Sequence, residues 1–203
     1  MNQNDENIIQ IEHKKKNMTA LHNELSYRAI RWISNKSTQR GMHTGIEIAI
    51  ADNYVVDAIA IGDIQNRFCR EYNVHSYYDK NARIDDMVFI FESKVSISDF
   101  NHTFKENNNS HDNRLKPVAN FHWIVAPKGL LKIEFIPSFW GLLEGSGAGL
   151  KEIKKPQFQP IENINEVYRL SYYVNRYMWK WGYPDNLAKL KCPTCSLESN
   201  NNE

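Results

Sequence analysis

The stretch Met87–Val95, MVFIFESKV, constrains this chain more than any other. Four large apolar residues, Val88 to Phe91, make a strand buried on both faces. Glu92 and Lys94 follow in the same strand with no turn residue between. Charges inside a sheet are costly unless they are paired or bind a metal. Residues two apart on a strand point the same way, so Glu92 and Lys94 project together.

The neighbouring segments fit a sheet of which this strand is one member. GIEIAIA (45–51) alternates, and YVVDAIAIG (54–62) is nearly continuous in apolar residues. Asp52-Asn53 between them suits a tight hairpin turn. NFHWIVA (120–126) and LKIEFI (131–136), separated by PKG, read as two further strands. Ahead of the sheet, Met18, Leu21, Leu25, Ala29 and Trp32 recur at helical spacing, with Thr19 as N-cap and an end near SNKSTQRG. SISDF after the charged strand opens a helix, with Ser98 as N-cap and Asp99 in the first turn. Asn163 with Glu166 is a capping box for a last helix over 164–181, stopped by Gly182 and Pro184. Val167, Leu170, Val174, Tyr177 and Trp181 form its apolar face, and most of its other aromatics should also pack. The order predicts an α/β fold, a mixed central sheet flanked by helices.

Composition sets wider limits. A chain of 203 residues with 41% hydrophobic content buries one core. No apolar run approaches the roughly 18–20 residues that cross a bilayer, and the polar start MNQNDENIIQIEHKKK is unlike a signal peptide. These point to a soluble, cytoplasmic protein without membrane contact. Net charge is +1, compatible with nucleic acid binding through a local basic surface. Residues 1–17 read as a flexible tail, 18–150 as the core, 151–185 as a linker and C-terminal helix packing on that core, and 186–203 as a polar tail. The polar and aromatic stretch 63–86 has no readable structure, and GSGAG (145–149) reads as a flexible turn.

Asp57 sits among Val55, Val56, Ala58 and Ile59, in a second strand of the same kind. If the two strands pair, Asp57 and Glu92 converge, and Glu47 on the first strand can approach. Carboxylates at short range repel, and a divalent cation removes the conflict. Mg²⁺, or Mn²⁺ in its place, takes oxygen ligands and keeps waters for a phosphate substrate. A lysine beside them can hold a water or neutralise charge on a phosphate oxygen. Together this is a constellation for metal-assisted phosphodiester hydrolysis. The plain alternatives are an exposed Glu-x-Lys pair and an Asp that satisfies backbone N–H groups at a strand end. For Glu47 the plain reading is a solvated face.

The pattern Asp57…Glu92-Ser93-Lys94, after a helix and on the second and third strands, resembles the PD-(D/E)XK nuclease superfamily. Val56 stands where many members have proline. Within it, ESKVSISDFNHTFK is similar to the core run of MmcB-like DNA-repair nucleases. Glu92, Lys94, Ser96, Asp99, Phe100 and Lys105 match, with Val95 as an extra residue, and Thr103 replaces a second Asp. FHWIVAPKGLLKIEFIPSFWGLL (121–143) is similar to the next two strands, so the likeness covers about residues 18–150. It implies a restriction-endonuclease-like core and a DNA substrate, in repair, phage or defence biology; RNA fits the same constellation. It also implies Asp57 and Glu92 as metal ligands, the Ser93 carbonyl completing the sphere, Lys94 positioning water, and Glu47 and Glu24 as accessory carboxylates. The plain reading of Glu24, a solvent-facing helix residue, is the stronger. A non-catalytic nucleic-acid-binding or assembly module on the same fold is the competing reading.

Other features weigh less. Lys105 and Arg114 follow the charged strand and could contact backbone phosphates. Cys192-Pro-Thr-Cys195 has the spacing of a zinc half-site, which a second chain could complete as a homodimer; a lone CxxC is weak evidence, and Zn²⁺ is the minority reading. The histidines form no metal-spaced cluster, and His22, His102, His111 and His122 read as packing or surface residues.

Overall fold

The computed structural model of the chain describes residues 3–50, 54–74, 87–106, 118–161 and 174, with side chains at 19–37, 42–48, 55–74, 87–104, 118–161 and 174. Helix α1 (Gln3–Ser34) leads into strands β1 (Ser37–Ile50) and β2 (Tyr54–Ile64). Helix α2 (Asn66–Glu71), strand β3 (Met87–Ser93) and helix α3 (Ile97–Asn101) follow, then β4 (Phe121–Ala126), β5 (Gly141–Ser146) and β6 (Gly149–Lys154). The strands form one six-stranded sheet in sequence order. β1, β2 and β3 are antiparallel in turn, β3, β4 and β5 are parallel, and β6 returns antiparallel to β5. The α/β class with a mixed sheet is therefore as expected.

Both faces of the sheet are covered, which is why β3 and β4 are apolar throughout rather than alternating. On one face lie Leu25, Ala29, Ile30 and Ile33 of α1 against Ala58, Ala60, Phe89, Phe91 and Trp123. On the other lie Ile59, Ile61, Val88, Ile90 and Ile124 with Phe100, Phe139 and Trp140. Phe89, Phe121 and Trp123 stack across β3 and β4, and Phe68 and Tyr72 of the α2 region close over them. Trp123 also dictates a glycine, because a Cβ at Gly141 would lie 2.5 Å from its ring.

Several elements differ from expectation. α1 begins at Gln3, so the segment read as a flexible tail is helical from there. Leu21, assigned to its apolar face, is exposed, while Ser26 and Ile30 are buried. β1 starts at Ser37, earlier than residue 45, with a register irregularity between Ser37 and Met42. LKIEFI is not a strand: Ile133–Phe135 is a 3-10 turn with Ile133 and Phe135 half exposed. The place beside β4 belongs to Gly141–Ser146, whose adjacent Leu142 and Leu143 fill opposite faces. GSGAG is the hairpin between β5 and β6, turning through Gly147 at φ 55, and the sheet continues past residue 150 to Lys154. The 164–181 helix and the CxxC tail fall outside the described residues, except that Val174 is helical and buried. So do the 51–53 turn, although Ile50 and Tyr54 pair as a hairpin requires, and Arg114.

Candidate functional site

The carboxyl ends of β3, β4 and β5 and the start of β2 meet along one edge of the sheet, with α1 crossing above. In open α/β sheets this is where ligands bind. The pairing Ala58↔Phe91 puts the next residues, Asp57 and Glu92, opposite each other on β2 and β3. Ile46↔Ala58 and Ile48↔Val56 put Glu47 opposite Asp57. All three candidate carboxylates thus fall on one cross-strand row.

Their side chains have different surroundings. Glu92 and Lys94 are both buried, and Lys94 Nζ donates to Glu92 Oε2 at 3.3 Å. The ammonium also approaches Asp99 Oδ1 at 3.8 Å. Asp57 is half buried; its Oδ2 accepts the Ser93 N–H at 2.7 Å and meets His22 Nε2 at 3.2 Å. Burial alone would raise the Asp57 pKa. The His22 hydrogen bond and charge, the Lys94 charge and the Ser93 N–H outweigh it and leave the carboxyl below its ordinary value. His22 moves the other way: the Asp57 hydrogen bond lifts it above its ordinary value against the effect of burial. Glu47 is exposed and its backbone is left-handed at φ 52, a conformation a non-glycine residue adopts at a cost.

α1 contributes what the sequence reading missed. His22 and Ser26 lie one helical turn apart on the buried stripe that continues through Ala29 and Ile33. Ser26 Oγ lies 2.8 Å from Ser93 Oγ, so α1 is tied to β3 beside the ion pairs. The signal was available: His22, Ser26, Ala29 and Ile33 keep the 4, 3, 4 spacing of a helix face. Counting only apolar residues hid it. Glu24 pairs with Arg28, which reaches on to Gly147 O at 2.7 Å.

The turn into α3 completes the surroundings. Ser96, two residues earlier than the expected Ser98, is the N-cap, and its Oγ accepts the Asp99 N–H at 3.1 Å. Asp99 Oδ2 in turn takes Val95 N–H at 3.4 Å. Asp99 was legible as a first-turn acid and as a position of the nuclease-like run; here it is also the second carboxylate near Lys94. The backbone of Lys105 lies in the π-helical segment His102–Glu106, whose side chain at this position is not described.

Glu92 and Asp99 flank the Lys94 ammonium, and Asp57 meets the His22 imidazole, so the carboxylates outnumber their cationic partners. Asp57 Oδ1 has no hydrogen bond among the described residues, so the donor chemistry fits a hard oxygen-seeking ion. No group of three or more His, Cys, Asp or Glu among the described residues is arranged to hold a metal ion. Asp57 and Glu92, with the Ser93 carbonyl, would be the ligands available. No helix among the described residues is long and apolar enough to cross a membrane.

No protein-family model matches the chain, and no curated protein matches it. A similar solved structure is that of a protein of unknown function from Silicibacter pomeroyi, at 11% identity and TM-score 0.52. The similarity covers 83% of this chain and 95% of that one, and it concerns the fold alone.

Proposed function

We propose that the chain is a metal-dependent nuclease with a restriction-endonuclease-like core of the PD-(D/E)XK superfamily, hydrolysing DNA phosphodiester bonds. The observation that carries this reading is the cross-strand row of Asp57 and Glu92, with Lys94 3.3 Å from Glu92 at the end of a doubly buried strand. In this reading Asp57 and Glu92 would hold Mg²⁺ or Mn²⁺, and the ion would supply Lewis-acid stabilisation of the phosphate and a more acidic water. Lys94 would position an attacking water, and its charge would oppose the negative charge that grows on the phosphate. Glu47, on the exposed end of the row, is an accessory carboxylate. The DNA-repair role within the MmcB-like branch follows from the ESKVSISDF run.

Plasmid nicking with Mg²⁺ or Mn²⁺ tests the reading. Asp57→Asn and Lys94→Met are expected to lose at least about 100-fold in rate, the scale of a positioned catalytic group. Thermal melts alongside identify a variant that has merely unfolded. Wild-type rates from folded variants would remove both residues from the mechanism.

The second reading is a binding or assembly module that performs no cleavage. It is favoured by Asp57 Oδ2, which already satisfies a backbone N–H and an imidazole as a purely structural carboxylate would. DNA binding without metal-dependent cleavage of duplex, nicked or single-stranded substrates would select it.

A further inference from the structure

The buried stripe of α1 changes character along its length. Ile33, Ile30 and Ala29 are apolar; then come Leu25 with Ser26, and then His22, above Asp57. The polar members are the ones that pass over the strand ends. His22 meets one particular atom there. Ser93 N–H at 2.7 Å and His22 Nε2 at 3.2 Å converge on the same oxygen, Asp57 Oδ2. A carboxylate held at one oxygen from two different elements has its plane fixed and its other oxygen presented. That other oxygen, Oδ1, takes no hydrogen bond among the described residues.

We propose that His22 is a positioning residue, gripping Asp57 Oδ2 from α1 so that Oδ1 is presented to a divalent cation. The proposal rests on the metal-site reading above. Residues that hydrogen-bond a metal ligand without touching the metal fix the ligand's orientation, and their loss typically weakens metal affinity about 10–100-fold. A merely structural His22 would tie α1 to β2 and affect stability alone. The two roles separate when affinity and stability are measured on the same variants.

The experiment is calorimetric titration of Mn²⁺ into the full chain, with thermal melts, for wild type, Asp57→Ala, His22→Leu, His22→Gln and Ile30→Val. Asp57→Ala should abolish binding. His22→Leu should weaken it about 10–100-fold, and His22→Gln, which keeps an N–H donor, should recover most of that loss. Ile30→Val, which loosens the buried apolar stripe of α1 without touching Asp57 or Ser93, should bind as wild type. If wild type binds no Mn²⁺, or Asp57→Ala binds it unchanged, the metal-site reading fails and the proposal with it. If Asp57→Ala abolishes binding but His22→Leu binds as wild type, the proposal alone is overturned. It is also overturned if both His22 variants lose affinity only as far as they lose stability.

Discussion

Glu152 on β6 and the Asp57–Glu92 row are carboxylates of one sheet, satisfied in opposite ways. Glu152 Oε1 accepts Tyr72 O–H at 2.5 Å and Trp123 Nε1–H at 3.2 Å, both neutral donors set in rings. Burial, then the hydrogen bond and charge of Glu152, push the Tyr72 phenol far above its ordinary value, so it remains a donor. Asp57 and Glu92 are held by an imidazole and an ammonium instead. Neutral donors packed among Phe68, Phe121 and Trp123 cannot leave without opening the core. Charged partners can be exchanged for another cation at little cost in packing. The first arrangement fastens α2 to the sheet; the second is suited to a site that binds and releases.

The largest effect expected on this contrast comes from Lys94. Lys94→Ala leaves the buried Glu92 carboxylate without its ammonium and should cost about 3–5 kcal/mol in urea unfolding. The double replacement Glu92→Leu with Lys94→Met should restore most of that loss, since apolar pairs of similar volume replace buried ion pairs well. A double variant no more stable than Lys94→Ala would mean that the pair does not govern stability there.

Next comes the fastening carboxylate. Tyr72→Phe removes one hydrogen bond to a charged group and should cost about 1.5–3 kcal/mol. It should leave Mn²⁺ affinity and any cleavage unchanged. A Tyr72→Phe variant that lost cation binding would erase the distinction between the two carboxylates. Smaller again is the cap: Ser96→Ala should cost about 1 kcal/mol by freeing the Asp99 N–H, again by urea unfolding.

How much of this was legible depended on the kind of signal. Strands buried on both faces announce themselves as continuous apolar runs, so β2, β3 and β4 could be read with little error. β5 could not, because Gly141, Leu142 and Leu143 sit beside a glycine stretch that mimics a loop, and LKIEFI offered a better alternation close by. Pairing settled it: only one segment could lie beside β4, and burial favoured the two leucines. In the site, Asp57, Glu92 and Lys94 stood out because charge in an apolar strand is costly. His22 did not, because a histidine on a helix face carries no such signal until its partner is known. Asp99 was visible as a first-turn acid but not as a neighbour of Lys94, a contact made by the turn rather than by any spacing.

The smallest effect separates the two arrangements by pH. His22 lies above its ordinary 6.5 in the fold, so its contribution is complete below 6.5 and is lost as pH rises through the raised value. Asp57 lies below its ordinary 3.8, so its contribution is complete above 3.8 and is lost as pH falls through the lowered value. The pair therefore stabilises most between 3.8 and 6.5. Tyr72, raised above 10.0, contributes fully up to 10.0 and fades only beyond it. In chelator-treated protein, the stability difference between wild type and His22→Leu should shrink from about pH 6.5 upward, by under about 1 kcal/mol because the pair is partly open to water. The difference for Tyr72→Phe should stay level through neutrality. A His22→Leu difference that stayed equally level from about pH 5 to pH 9 would show that the imidazole is held as a neutral group. Both carboxylates would then be fastenings of the same kind.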